Sequence, residues 1–291
     1  MNDSRAREND VFLQEYSSHE AILRYTARSA GSGIAYLLEH DYAQVYTEAL
    51  NQHLKCAPSP GLRVLEFCCG GGMNVIAVVG LLFRQGRPLE VAYGTDFSDV
   101  LVTAANADKA AGLPLEQQEK LSFHVARNEN LASDLSQRLS IQPSELLNSF
   151  HFILGVNTFR YCHRLGRAAE SARDIFDLLA PGGVCVMIDM NSRFPAFRSR
   201  LRRPFTKPGD ESYLPSLEEY SQTFQQAGFE IVARTTFCWI PHSAGPWLTR
   251  LCRLFSPLLT TIARPLAMRC LVISRKSVPS GPTPAGKNVG K

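Results

Sequence analysis

The feature that most constrains this chain is a short apolar segment followed by three consecutive glycines and a second apolar segment. Residues 63–67 read RVLEF, the glycines are Gly70, Gly71 and Gly72, and apolar residues resume at Met73. Glycine has no Cβ and readily adopts positive φ, so the backbone can approach a bound cofactor closely at such a turn. Backbone NH groups at the start of a following helix then face the ligand. The pattern predicts the first strand-to-helix turn of a cofactor-binding α/β domain.

A second apolar segment, VAYGTD, ends in Asp96 about two dozen residues after the glycines. An acid at the carboxyl edge of the neighbouring strand can accept both hydroxyls of an adenosine ribose. The alternative is that Asp96 caps the following helix, a role that Ser98 would fill equally well. After the glycine turn we favour ribose binding, and we assign the adjacent Phe97 to the same cofactor site.

Apolar segments alternate with helical patterns over the rest of the chain. The predicted strands are RVLEF, VAYGTD, LSFHVA, FHFILGV, GVCVMIDM, FEIVARTTFCWI and AMRCLVISRK. Helical spacing begins near residue 74 and covers residues 98–111 and about 167–179. This alternation predicts an α/β fold with a Rossmann-like, mostly parallel seven-stranded sheet and helices on both faces.

The regions outside this alternation define the predicted domain boundaries. Residues 1–10 and 277–291 contain few apolar residues, and we expect both ends to be disordered. Residues 11–60 show helical spacing and precede the first strand, so they form a separate helical segment. The main domain is predicted over residues 61–276, with a helical insertion at about 243–266 between the last two strands.

Four segments resemble motifs of the class I S-adenosylmethionine-dependent methyltransferases. VLEFCCGGG is similar to the family's VLDxGCGxG, and VAYGTDFSDVLVTAA is similar to its second, ribose-binding motif. LAPGGVCV matches its LxPGG turn, and residues 217–230 match its late helix before the sixth strand. The resemblance covers about residues 63–276. It implies a small-molecule methyltransferase that uses S-adenosylmethionine and no metal.

The resemblance also implies a set of cofactor-binding residues. Glu66, Gly70 and Gly72 occupy matching positions of the first motif, and Glu66 suits the cationic end of S-adenosylmethionine. The alternative for Glu66 is an ordinary carboxylate that caps nearby backbone NH groups. Cys68 stands where the family usually has glycine, which predicts a bulkier wall. Asn128, in a segment that replaces the usual GDAExLP, is the candidate for the adenine contact normally made by Asp.

The acceptor pocket is expected above the fourth strand, where the polar sequence NTFRYCHR follows FHFILGV. Methyl transfer requires alignment and exclusion of water, and a hydroxyl acceptor also loses a proton. His163 is the candidate base because its unperturbed pKa lies near neutrality, with a solvated loop histidine as the alternative. We assign Tyr161 as a second catalytic candidate, Arg160 to the substrate and Asn157 to the cofactor.

The helices before residue 60 resemble the lid of small-molecule methyltransferases, and we assign Tyr16 and Tyr25 to the acceptor pocket. We expect the acceptor to be a hydroxyl or carboxyl of a hydrophobic secondary or lipid-like metabolite. Transfer to nitrogen, carbon or sulfur remains open.

The insertion at residues 247–266 combines apolar residues at helical spacing with arginines and no acid. A basic amphipathic helix of this kind can lie on an anionic membrane surface. The alternatives are that it packs on its own domain or on a second copy of the chain, as in a homodimer. Pro257 and Pro265 are expected to bend or break the element.

The sequence also favours some cellular settings and disfavours other functions. Without a secretory signal or an apolar run of membrane-spanning length, we expect a cytoplasmic protein with peripheral membrane contact at most. The eight cysteines lack metal-ligand spacing. The missing G-x-G-x-x-G disfavours a nicotinamide-dependent oxidoreductase. The sequence GVNT after the fourth strand disfavours methylation of nucleic acid, and the intact motif residues disfavour a non-catalytic relative.

Overall fold

The computed structural model describes residue 18 and residues 31–56, 60–195 and 214–278. These residues form one seven-stranded sheet in the order β3-β2-β1-β4-β5-β7-β6. The strands are β1 (Leu62–Phe67), β2 (Leu89–Asp96), β3 (Leu121–Val125), β4 (Phe150–Val156), β5 (Leu179–Met190), β6 (Glu230–Phe237) and β7 (Arg269–Arg275). Strand β7 runs antiparallel to β5 and β6, while β1 to β5 pair in parallel.

Helices cover both faces of this sheet, as the alternation of segments predicts. They are α1 (Ser32–Glu39), α2 (Asp41–Glu48), α3 (Met73–Arg84), α4 (Asp99–Gly112), α5 (Leu115–Lys120), α6 (Leu131–Leu139), α7 (Phe159–Arg164), α8 (Ala168–Leu178), α9 (Leu217–Gln226) and α10 (Pro246–Ala263). Val64 joins a buried cluster with Tyr46 and Val79 on one face, and the next residue, Leu65, joins Phe224 on the other. Successive residues of a strand point to opposite faces, so one sheet supports two cores. The predicted α/β fold is confirmed.

The position of the functional site follows from the strand order. Strand β1 lies between β2 and β4, so the connections after β1 and after β3 lead toward opposite edges of the sheet. In an open α/β sheet this reversal leaves a crevice at the carboxyl ends of the strands, where ligands bind. The glycine turn after β1 and the polar segment after β4 both lie at this edge.

The N-terminal helices are fastened to the segment that precedes α10. The NH of Gly33 donates to the carbonyl of Ala244 (3.0 Å), and the Ser32 hydroxyl donates to the same carbonyl (2.8 Å). A Cβ at Gly33 would lie 2.4 Å from the carbonyl oxygen of Pro241, so the two backbones touch. Helix α1 therefore lies over the insertion segment.

Residues 159–164, part of the polar segment after β4, form the short helix α7 rather than a loop. Helix α10 continues through Pro257 and ends before Pro265, which lies in the 3₁₀ turn Arg264–Leu266, so the element breaks at the second proline. Tyr16, Tyr25, residues 1–10 and residues 279–291 fall outside the described residues.

The last glycine of the turn gives a test of this local packing. Gly72 has φ +76°, and a Cβ there would lie 2.4 Å from the Phe123 ring, whereas a Cβ at Gly71 meets nothing within 4 Å. We expect Gly72→Ala to lower the free energy of unfolding by roughly 2 to 4 kcal/mol, from backbone strain and overlap together. Gly71→Ala is the matched control and should change it by less than about 1 kcal/mol. Urea unfolding measures both, and equal losses would contradict the assignment.

Candidate active site

A cavity of about 480 Å³ opens at the carboxyl ends of β1, β2, β4 and β5. Its walls combine the glycine turn, the ends of β2 and β4, helix α7, and the segments before α10 and β7. Of the residues predicted from sequence, the cavity lining includes Cys68, Gly70, Asp96, Phe97, Asn128, Asn157, Arg160 and Tyr161. The sheet therefore brings most of the predicted residues to one pocket.

The glycine turn presents bare backbone to this cavity. Cys68 and Gly70 both have positive φ, at 48° and 54°. A Cβ built on Gly70 or Gly71 meets nothing within 4 Å, so a ligand can approach these residues closely. Gly72 instead packs under the turn against Phe123 and is not part of the cavity lining.

Glu66 supports the turn from below and is not part of the cavity lining. Its carboxylate accepts the NH of Val75 (2.8 Å) and the side-chain amide of Asn74 (3.2 Å). Asn74 in turn accepts the hydroxyl proton of Tyr46 (3.0 Å). Burial raises the pKa of Glu66 to about 8, although both donors act to lower it. The structure thus favours the capping alternative, in which Glu66 holds the first turn of α3.

Asp96 lines the cavity at the end of β2. Its carboxylate accepts the backbone NH of Gly70 (2.9 Å) and of Ser98 (3.0 Å), and burial raises its pKa above the ordinary value. The Ser98 hydroxyl accepts the NH of Leu101 and so caps α4. Asp96 is therefore not needed as the cap of this helix. An ionised carboxylate has about four acceptor sites, so Asp96 keeps acceptor capacity on the cavity side.

Asn128 connects two cysteines on the opposite wall. Its amide nitrogen lies 2.8 Å from Sγ of Cys68 and 3.6 Å from Sγ of Cys162. Its carbonyl oxygen is buried and has no hydrogen-bond partner within the described residues. A buried acceptor without a partner is unfavourable, so this oxygen suits a ligand donor.

The predicted residues of the polar segment after β4 do not all lie in the cavity. Arg160 and Tyr161 line the cavity, and the Arg160 guanidinium donates to the Tyr161 hydroxyl (2.6 Å). The same guanidinium lies 3.9 Å from the fully buried carboxylate of Asp189, whose oxygen also accepts the Arg160 backbone NH (2.9 Å). Arg160 is therefore held by a neighbouring acid.

The structure places His163, the predicted base, against α9 rather than in the cavity lining. Residues four apart share one face of a helix, so His163 follows Phe159 toward α9. Its ring packs edge-on against Tyr220 and its Nε2 lies 3.3 Å from the Thr223 hydroxyl. Burial lowers the pKa of His163 below its ordinary value. The cavity lining does not include it.

Two residues of the cavity, Arg269 and His242, were not predicted from the sequence. Arg269, the first residue of β7, is 5% exposed and donates to the side-chain carbonyl of Asn157. Its second guanidinium nitrogen lies 3.0 Å from Nε2 of His242, which also lies 3.3 Å from the Tyr42 hydroxyl. Since a guanidinium can only donate, Nε2 of His242 accepts this bond. The available signal was an arginine at the start of the otherwise apolar strand segment AMRCLVIS.

Comparison with known proteins identifies the family. A methyltransferase domain model matches residues 37–234, more than half of the chain. The chain belongs to this methyltransferase family. The methyltransferase is 30% identical over 149 residues to the citrinin polyketide synthase of Monascus ruber, a match that covers 50% of this chain and 5% of the synthase.

Solved structures agree with this family at the level of the fold. The CMeT domain of the citrinin polyketide synthase superposes with a TM-score of 0.52 at 19% identity, covering 85% of this chain and 56% of that one. An S-adenosylmethionine-dependent methyltransferase from Mesorhizobium loti gives 0.52 at 16% identity, covering 82% of this chain and all of that one. These likenesses show that the chain shares the fold of such methyltransferases. Within the residues that the structure describes, no group of three potential metal ligands comes together.

The position of Asp96 leads to a test of cofactor binding. Asp96→Ala removes the buried acceptor at the end of β2, and we expect the affinity for S-adenosylhomocysteine to fall by about 30-fold or more, near 2 kcal/mol. Asp99→Ala removes an exposed carboxylate three residues later and should leave the affinity unchanged. Calorimetric titration measures both, with thermal melting as the check on folding. Unchanged binding by Asp96→Ala would remove the ribose assignment.

The buried position of Glu66 predicts a specific pH dependence of stability. Because its folded pKa of about 8 lies above the ordinary 4.5, the folded state retains a proton that the unfolded chain releases. The contribution of Glu66 to stability is therefore full below about pH 4.5 and declines as the pH rises to about 8. Relative to wild type, Glu66→Gln should gain up to about 1.4 kcal/mol per pH unit across this window.

Urea unfolding at several pH values measures this gain. Glu116→Gln, which removes an exposed carboxylate on α5, is the control for general charge effects. A difference between Glu66→Gln and wild type that stays constant from about pH 5 to about pH 8 would show that Glu66 does not titrate as described.

Proposed function

We propose that this methyltransferase transfers a methyl group to a hydroxyl or carboxyl of a hydrophobic small molecule from secondary or lipid-like metabolism. The observation that carries the proposal is one cavity with two chemically different ends. Asp96 and the bare glycine backbone lie at one end, and Arg269 with His242 lies at the other.

The first end fits S-adenosylmethionine. Asp96 would accept the ribose hydroxyls, Phe97 would lie against the adenosine, and the unpartnered oxygen of Asn128 would accept from the adenine amino group. The open space over Gly70 would admit the methionine portion. The bound cofactor supplies an electrophilic methyl group on a sulfonium. The chain's own contribution is to align the acceptor with that methyl and to exclude water.

The second end supports an acceptor that carries or develops negative charge. Nε of Arg269 is buried without a hydrogen-bond partner among the described residues, and the buried carboxylate of Asp189 interacts electrostatically with the guanidinium. A buried charge is stable when it is paired, so a ligand anion would add to this pairing. A nearby guanidinium also lowers the pKa of a bound hydroxyl or carboxyl. This gives proton loss a physical cause that does not require His163.

The remaining walls suit an apolar acceptor body. Ile34 from the N-terminal helices, Val156 at the end of β4, and Leu165 and Met268 face the cavity. Apolar walls displace water from around the reacting atoms, which strengthens the electrostatic effect of Arg269. The similarity to part of a polyketide synthase supports a secondary metabolite as acceptor.

Two measurements test the reaction itself. Calorimetric titrations with S-adenosylmethionine, S-adenosylhomocysteine and NADH should show binding of the two adenosyl ligands alone. Transfer of labelled methyl to a panel of hydroxylated aromatic polyketides and long-chain acids should then give O-methyl products, identified by mass spectrometry. Products methylated only on nitrogen, carbon or sulfur would contradict the oxygen-directed proposal.

The role of Arg269 gives a separate prediction. Arg269→Met should lower kcat/KM for the best acceptor of this panel by about 100-fold, near 2.7 kcal/mol, while the S-adenosylhomocysteine affinity stays within about threefold. Arg275→Met is the control on the same strand, because Arg275 pairs at the surface with Glu230 (2.7 Å). If Arg269→Met weakened cofactor binding and left acceptor kinetics unchanged, the guanidinium would bind the cofactor's carboxylate instead.

A further inference from the structure

Helix α10 and the turn after it expose an unusual amount of apolar side chain. In the described part of the chain, eleven large apolar residues are exposed, and eight of them lie in this one segment. They are Trp247, Leu248, Leu251, Leu254, Phe255, Leu258, Ile262 and Leu266. We refer to these eight residues as the apolar face. A continuous exposed apolar surface on a folded protein marks an interaction site.

The helix packs on the domain by a different side. Thr249 is buried and lies 3.5 Å from the Ser32 hydroxyl, while the Trp239 indole donates to the Thr260 hydroxyl (3.1 Å). Thr249, Ser256 and Thr260 therefore turn toward the protein, and the apolar face turns toward solvent. This arrangement disfavours the alternative in which the stripe packs on its own domain.

The charges within this segment have one sign. Arg250, Arg253 and Arg264 are exposed in it, and the Arg253 guanidinium lies over the Tyr36 ring at 4.5 Å. No acidic residue follows Glu230 in the sequence. The segment itself would thus attract an anionic surface and adds no opposing charge. No described helix is long and apolar enough to cross a membrane.

We propose that α10 docks this methyltransferase on the surface of an anionic lipid bilayer, with the apolar face inserted among the lipid headgroups. Leucine, phenylalanine and tryptophan on one side with arginine on the other is the composition of helices that lie in the membrane interface. Arginine side chains can extend from the helix to the headgroup phosphates. A second copy of the chain is the less favourable occupant, since it brings another set of arginines and no acid from this segment.

The docking surface follows a wall of the cavity in the chain. His242 and Ser243, which line the cavity, lie a few residues before α10. On the proposed function, an apolar acceptor would pass from the bilayer into the cavity without crossing water. This step alone rests on the proposed function, whereas the docking follows from the exposed helix.

Vesicle binding by the full chain tests the proposal. Cosedimentation with vesicles of phosphatidylcholine containing about one third phosphatidylglycerol should exceed that with phosphatidylcholine alone by about tenfold, and about 0.5 M salt should reduce it. The emission of Trp247 should shift to shorter wavelength on the anionic vesicles. Absence of binding to the anionic vesicles would overturn the proposal.

Substitutions on the apolar face provide the matched comparison. The triple variant Trp247→Ser, Leu254→Ser and Ile262→Ser changes side chains that are 69 to 74% exposed, so the fold should persist. We expect it to lose about tenfold or more of vesicle binding. Leu115→Ser, at 70% exposure on α5, should bind like wild type.

Three further readouts separate the possible failures. Thermal melting and S-adenosylhomocysteine binding should be unchanged in the triple variant, which keeps the docking test independent of the methyl-transfer proposal. Vesicle binding retained by the triple variant would overturn the assignment to α10. Sedimentation equilibrium tests the remaining occupant. If the wild type formed a dimer but did not bind vesicles, and the triple variant were a monomer, the apolar face would be assigned to a second copy.

Discussion

Two buried carboxylates hold the turn around which the site is built. Glu66 at the end of β1 binds the first turn of α3, and Asp96 at the end of β2 binds the NH of Gly70 across the turn. The chain between them contains positive φ values at Cys68, Gly70 and Gly72. Such a backbone persists only where surrounding contacts determine it, and these two acids supply the contacts. The remaining cavity geometry depends on this fixed edge.

The same acids explain why the turn is both buried and polar. Removing a carboxylate from water is unfavourable, and burial raises the pKa of Glu66 and Asp96. Backbone NH groups at the start of a helix offset this penalty, because they have no partner within the helix. Each acid therefore satisfies donors that the turn would otherwise leave unpaired. The two carboxylates point in different directions, because Glu66 faces helix α3 and Asp96 faces the cavity.

The sequence predicts the parts of this protein that local chemistry determines. A buried strand, glycines that need positive φ and an acid at the next strand end give the fold and the cofactor end of the pocket. The position of His163 was not predictable in this way, because it depends on α7 packing against Tyr220 of α9. The role of Glu66 was ambiguous for a related reason. The helix on one side of the turn and the cofactor site on the other could each provide hydrogen-bond donors to its carboxylate. Arg269 and His242 meet only through the antiparallel placement of β7, a long-range contact.

The two ends of the cavity come from different parts of the chain. Residues 63–131 supply the glycine turn, Asp96 and Asn128, and their local pattern is that of the family. His242 and Met268 come from the segment between β6 and β7, which also contains the exposed face of α10, and Arg269 is the first residue of β7. Leucine is usually buried and arginine is usually exposed, so the exposed leucines of α10 and the buried Arg269 are both exceptions. Such exceptions mark places where a ligand or partner binds. On the proposed function, this second region would determine what the methyltransferase accepts, while the first half of the sheet would determine what it donates.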